Sequence, residues 1–468
     1  MDRQSDCSNQ EKEDRISGLP DPILCHILSF LPTKDAVATS ILSSSWKLVW
    51  TSLTNLCFDD RLCLEEITGV LTNDASTMFE NFVNRVLVLS YPVDINKFSL
   101  HCCKLRYLTY LHSWVSIVIM RNVREIELSI KIPCCSMRVK LPESIYASKT
   151  LEILKLNSDF AIKLPPSGLC FPSLKILHVE IDNRVDNFTE TLFSNCTVLE
   201  DLSIMVHLYR DFATFNISSR FLKRLTLKFL CEDDLDLLSH RVVITAPNLD
   251  YLSIIDWPPV SYMLYELHSL TKVIVDFSLL YTADTFLEIL NDPSVRQYYS
   301  DDAAKCAVQL LKGITSTKFL SLSHSTISGL LDWSAVDFFP TFLNLTCLEM
   351  EVFNFRCWGL LSVIFSGAPN LESLLLGRDI GFDCKWTKPH FVPDCLLSRV
   401  KTIKIRGFEG EKDQFKLIKY LLKNGQVLDT LIIILQSTLP QKMGLKDMLY
   451  QLLLMFKRGS KTCQVKVL

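Results

Sequence analysis

One short apolar frame returns along most of this chain and restricts the fold more than any other feature. As apolar-x-x-apolar-x-apolar it reads VREIEL from residue 123, LEILKL from 151, LKILHV from 174, LEDLSI from 199, LKRLTL from 222, LDYLSI from 249 and LTKVIV from 270. More distant copies are TKFLSL from 317, LTCLEM from 345, LESLLL from 371 and VKTIKI from 400. Neighbouring copies stand 21 to 29 residues apart, except for one double-length gap between 270 and 317. Alternate residues of a strand point to opposite faces, so Leu154 and Leu156 enter a core while Lys155 and Asn157 face outward. Such strands stack side by side, and each repeat buries its apolar face against its neighbours.

This spacing is in the leucine-rich-repeat range. The expected fold class is therefore α/β: a curved parallel sheet with helices or turns returning on its convex side. Return segments include CWGLLSVIFSGAPN and DDAAKCAVQLLKG, where Ala304, Ala307, Val308 and Leu311 form one apolar face. A sheet of this kind leaves its other surface free for binding. The outward positions Lys155, Asn157, His178, Glu180, Met205, Lys228, Ile255, Asp276, Glu349, Glu351 and Leu375 make up the candidate substrate surface. Its charges are mixed and it is partly apolar, which suits a protein or a small organic ligand.

Ahead of the repeats lies a different pattern. LPDPILCHILSFLP, residues 19–32, carries Ile23 and Ile27 on one side and Leu24, Leu28 and Leu31 around the corner, more apolar surface than a small hairpin of helices can hide. Asp21 before Pro22 reads as N-cap and first helical residue, and Pro32 stops the helix. Thr33 then caps KDAVATSIL, and SSSWKLVW spaces Trp46, Val49 and Trp50 for a third short helix. Three helices in about 40 residues fall below the size that supports an independent core. Further on, STMFENFVNRVLVLS places Phe79, Phe82, Val83, Val86 and Leu87 on one helical face, as a cap opening the larger domain would.

The run DRISGLPDPILCHILSFLPTKDAVATSILSSSWKLVW, residues 14–50, resembles the plant version of the F-box in its Leu-Pro opening, its ILSFLPTKDAVATS centre and its closing WKLVW. It departs from that family at Ser44 and Ser45, where a Lys-Arg pair usually precedes the first Trp. Residues 386–433, from WTKPHF to DTLII, resemble the FBD region that ends many plant F-box and leucine-rich-repeat proteins. There Phe415, Ile418, Leu421 and Leu422 line one side of a helix, and Gly425 sits where a C-cap glycine belongs. The resemblance implies an F-box over 14–55, a connector with an N-terminal cap helix over 56–95, repeats over 96–383, and an FBD region over 384–468 that continues the solenoid and covers its edge. By the same resemblance Leu19, Pro20, Ile23, Leu24, Ile27, Leu28, Leu31, Pro32, Val37, Val49 and Trp50 would dock a Skp-type adaptor and, through it, a cullin.

Composition narrows the partners. With 49 Lys and Arg against 52 Asp and Glu, the net charge of −3 offers no electrostatic reason for nucleic acid or an anionic membrane. Seventeen scattered cysteines, an odd number, suit a reducing compartment better than a disulfide framework. The polar start MDRQSDCSNQEKEDR lacks a secretory core, and no apolar run reaches the roughly 18 residues that span a bilayer. The expected location is nucleus or cytoplasm, where sequons such as NFT at 187 and NCT at 195 are chance.

Chemistry finds little support. There is no G-x-G-x-x-G, P-loop, H-E-x-x-H, G-x-S-x-G or C-x-x-C. His101 beside Cys102 and Cys103 would alternate faces on a strand, Cys25 and His26 lie about 100° apart on a helix, and the acids of EDDLD at 232 read as a solvated loop. No cofactor or metal is expected. The expected function is the substrate-recognition subunit of a Skp–cullin–F-box ubiquitin ligase, itself without catalysis; the alternatives are a repeat scaffold or a small-molecule, hormone-like receptor outside any ligase.

Overall fold

The computed structural model describes residues 16–63, 73–90, 93–103, 105, 107–130, 139–157, 160–161, 170–182, 188–208, 214–231, 241–256, 261–277, 306–323, 326–327, 330, 339–351, 357–377, 391–436 and 445–468. The chain divides into two compact units, Met1–Glu180 and Ile181–Leu468.

The first unit opens with helices α1 (Asp21–Leu28) and α2 (Thr33–Ala38), then 3-10 turns at Thr39–Ile41 and Val49–Ser52. Residues 44–48 are turn, so the third helix expected from Trp46, Val49 and Trp50 is a turn followed by a 3-10 segment. Both caps shift by one residue: Pro20 and Pro32 occupy the N-cap positions, with Asp21 and Thr33 already helical. Thr33 has another task, for its buried hydroxyl accepts the Cys57 N–H at 2.7 Å.

Cys57 belongs to β1 (Asn55–Asp59), a strand inside the stretch read as connector. Leu53, Leu56 and Phe58 follow the repeat frame and are buried, so the first repeat begins where the knob of helices ends. Helix α3 (Asn73–Leu89) returns the chain to β2 (Lys97–Cys102), and α4 (Leu108–Met120) leads to β3 (Glu125–Ile130). With β4 (Val139–Lys140), β5 (Ile153–Asn157), β6 (Phe160–Ala161) and β7 (Ile176–Asp182), the unit forms a parallel sheet in the order β1-β2-β3-β5-β7 and a separate β4-β6 pair.

The second unit repeats the theme. Strands β8 (Asp201–Leu208), β10 (Arg224–Cys231), β12 (Tyr251–Ile255), β14 (Lys272–Asp276), β15 (Phe319–Leu322), β16 (Cys347–Glu351), β17 (Ser373–Gly377), β18 (Thr402–Phe408), β19 (Thr430–Leu435) and β20 (Gln464–Val467) pair in that order, all parallel. A smaller parallel sheet of β9 (Thr214–Ser218), β11 (Arg241–Thr245) and β13 (Ser261–Tyr265) runs on the return side. Residues 306–313 are helical with Ala307, Val308 and Leu311 buried; Ala304 and the acids from 232 lie outside the described residues.

The frame explains the core. Each of its residues from Val123 to Ile405 is 7% exposed or less, including Thr317 in the one copy that opens on a polar residue. Most junctions between repeats reuse one device, a carbonyl that accepts two successive N–H groups of the next strand. Arg124 O takes Glu152 and Ile153 at 2.8 and 3.0 Å, Glu200 O takes Lys223 and Arg224 at 2.8 and 3.0 Å, and Lys401 O takes Asp429 and Thr430 at 2.8 and 3.0 Å. Asparagine staples add to it: Asn248 Nδ2 donates to Arg220 O at 2.7 Å and Asn370 Nδ2 to Leu343 O at 2.8 Å.

The C-terminal region is strand, helix and strand as expected, with Ile418, Leu421 and Leu422 buried in helix Lys412–Asn424. Gly425 is the C-cap, yet its φ is −72°, so no left-handed turn requires it. Space does: an added Cβ would stand 2.9 Å from Leu421 O. Among the described residues β20 is the last strand in the order and so stands at its edge. Its four-residue length and Lys466 blunt it.

Candidate functional site

The knob's own packing sorts its apolar residues. Leu24 and Leu28 are wholly buried, and Val49 and Trp50 lie beneath the surface with them. These residues were expected on the adaptor face, and the structure corrects that: a helix of eight residues must spend its i, i+4 pair on the only core available. Ile23, Ile27 and Leu31 remain 46%, 39% and 40% exposed, flanked by exposed Pro20 and Pro32, while Leu19 and Val37 are half-buried. Sequence reasoning missed a second group. Phe30, Ile41, Leu42 and Leu48 are 75%, 85%, 65% and 68% exposed. The signal was present, since all four fall in turns or a 3-10 segment where no helical stripe directs them inward. The knob is held from behind by Trp46 Nε1, which donates to Ser17 Oγ at 3.0 Å. Ser44 and Ser45 lie exposed in the adjoining turn.

Neither local cluster forms a reactive site. Cys25 Sγ turns toward Val49 O at 3.6 Å, and burial pushes its thiol above the ordinary range, while His26 packs edge-on against Phe30 with ring centroids 5.0 Å apart. On β2, Cys102 is buried and His101 lies on the outward row. Among the described residues no group of three or more His, Cys, Asp and Glu is placed to hold a metal ion. Nor is any helix among them long and apolar enough to cross a membrane.

The outward strand faces carry the other candidates, which fall into separate groups. In the first unit Lys155 and His178 are register partners, with Asn157 and Glu180 two residues on. Lys155 Nζ reaches Glu125 at 4.0 Å, and Lys97 Nζ lies 2.9 Å from Glu125 and 3.4 Å from Glu127. The hydrogen bond to Glu125 raises the Lys97 pKa. In the second unit Met205, Lys228, Ile255 and Asp276 form one row across four strands. Glu349 and Leu375 face each other across β16 and β17, Arg406 lies 3.5 Å from Glu349, and Glu351 is exposed. A cavity of about 500 Å³ opens beside Glu190, Asn216 and Thr245, and no candidate residue lines it.

A small helical knob with aliphatic side chains left in water, continued by stacked parallel strands that offer a mixed outward face, defines an F-box protein with leucine-rich repeats. Comparison with known families agrees with each part: the F-box domain matches residues 16–58, the LRR repeats of FBD-associated F-box protein At5g56370 match 111–264, and FBD matches 388–433. The F-box/LRR-repeat protein At3g59200 of Arabidopsis thaliana is 34% identical over 445 residues, covering 90% of this chain and 82% of the relative. The F-box/FBD/LRR-repeat protein At1g78750 of the same plant is 30% identical over 466 residues, covering 97% and 96%. F-box/LRR-repeat protein 13, also from Arabidopsis thaliana, is 29% identical over 442 residues, covering 92% of each chain. This chain belongs to the plant F-box/FBD/LRR-repeat family.

Proposed function

We propose that the chain is the substrate-recognition subunit of a Skp–cullin–F-box ubiquitin ligase, working in the nucleus or cytoplasm. The observation that carries this reading is the exposed aliphatic surface of the knob: Ile23, Ile27 and Leu31 with Phe30, Ile41, Leu42 and Leu48. Covering one such side chain is worth about 1.5–3 kcal/mol, so several together hold an adaptor. The outward strand faces then grip a protein substrate, and the cullin scaffold brings a ubiquitin-conjugating enzyme to it. The gain is effective concentration of substrate lysines near the activated thioester. The chain supplies binding and orientation, and the bond chemistry belongs to its partners.

The test is retention of a purified Skp-type adaptor by the full chain. The double variant Ile23→Asp/Ile27→Asp is expected to lose the adaptor at an unchanged melting temperature, because both side chains already stand in water. Leu28→Asp is expected to lose it by unfolding the knob. An unaltered chain that ignores the adaptor, or a double variant that binds it as well as the parent, overturns the assignment.

A further inference from the structure

Four neighbouring strands of the second unit set Arg224, Tyr251, Lys272 and Phe319 in one outward row. The row alternates cation and ring. Arg224 Cζ stands 4.3 Å from the Tyr251 centroid, and Lys272 Nζ stands 5.8 Å from Tyr251 and 4.8 Å from Phe319. Asp201 holds Arg224 through Nε at 3.1 Å, and among the described residues the terminal guanidinium nitrogens have no hydrogen-bond partner. No described carboxylate lies within ion-pair distance of Lys272, nor of Lys228 two rows further along β10.

A ring attracts a cation through its quadrupole and carries no net charge, so the stack orders these cations without neutralising them. Asp201 offsets part of the Arg224 charge, while Lys272 and Lys228 have no described carboxylate at ion-pair distance; that surplus favours an anionic partner, and the rotamer entropy that binding would remove from the stacked cations is already lost. Between this row and Lys228 the floor is low, made by Thr226 and Ser253. Arg224 and Lys272 are two strands apart, about 10 Å, against about 7 Å between the same-face residues i and i+2 of an extended chain, a difference that flexible glutamate side chains span. The Tyr251 face is already covered by Arg224, which removes the stacking platform that a nucleic-acid base needs.

We propose that this row docks an extended acidic peptide segment whose same-face carboxylates, two residues apart, meet Arg224 and Lys272. The inference rests on the ligase reading only in treating that segment as part of a substrate. It is tested with the full chain by fluorescence anisotropy of labelled octaglutamate, with octaglutamine and octathymidylate as comparison probes. Octaglutamate is expected to bind, to weaken several-fold on raising salt from 50 to 300 mM, and to weaken at least about tenfold in Arg224→Gln/Lys272→Gln. The exposed pair Lys423→Gln/Lys457→Gln is expected to bind as the parent does. Absence of binding, equal binding of octaglutamine, tighter binding of octathymidylate, or equal loss in the two double variants overturns the proposal. Adaptor retention is measured on the same samples; its failure would sink the ligase reading and leave the acidic-segment site standing.

Discussion

At the residue scale, burial decides roles that spacing alone leaves open. Ile23 and Leu24 are neighbours of the same chemistry, yet one stands in water and the other is sealed. Sequence could announce surplus apolar surface, and it could not say which residues the knob would keep, because that depends on Trp46 in a turn and Val49 and Trp50 in the 3-10 segment after it folding back. Arg121 was invisible for the opposite reason, since an arginine is assigned to solvent by default. It is buried, and its guanidinium donates to Val93 O at 2.6 Å, Leu87 O at 3.2 Å, Ser90 O at 3.0 Å and Ser90 Oγ at 3.1 Å. A cation at the last carbonyls of α3 opposes the negative end of the helix dipole. Arg121→Met should destabilise the first unit by about 3 kcal/mol, because it strands buried carbonyls. Arg121→Lys should recover part of that loss. Denaturant midpoints of the variants check both.

At the element scale the strands were legible and their junctions were not. Alternation fixed every strand that the apolar frame named, from VREIEL to VKTIKI, because one face of each had to be dry. Strand β1 escaped notice, since its frame of Leu53, Leu56 and Phe58 directly follows the knob's last turn and looked like linker. The start of helix Lys412–Asn424 also went unread, although Glu411 and Gln414 make a capping box. Gln414 Oε1 accepts three backbone N–H groups, from Glu409 and Gly410 at 3.0 Å and Glu411 at 3.2 Å. Gln414→Ala should cost about 1–3 kcal/mol, and Gln414→Glu, which keeps the acceptor, should cost less. Amide exchange at 409–411 should accelerate in the first variant and stay slow in the second.

For the whole molecule, the buried thiols set an alkaline limit. Burial pushes the Cys395 thiol up from 9.0 to about 11, and raises Cys347, Cys463 and Tyr420 in the same direction. These groups stay protonated in the folded state at a pH where the unfolded chain has already ionised. The folded state then binds more protons, and stability falls as pH rises from about 9 toward about 11. Denaturant midpoints at pH 7, 9 and 10.5 should decline in that order, with a shallower decline in Cys395→Ala. A flat profile would contradict the sign. Because repeats contact only their neighbours, injury to one junction should spread locally rather than melt every strand at once.

The bond from the Cys57 N–H to the Thr33 hydroxyl ties the knob to the strand that follows it within a few residues. A module hung on a loose tether samples every orientation, whereas a module bolted to the first rung transmits torque. A partner seated on the knob would therefore also aim the first repeats, by geometry instead of by the random walk of a linker.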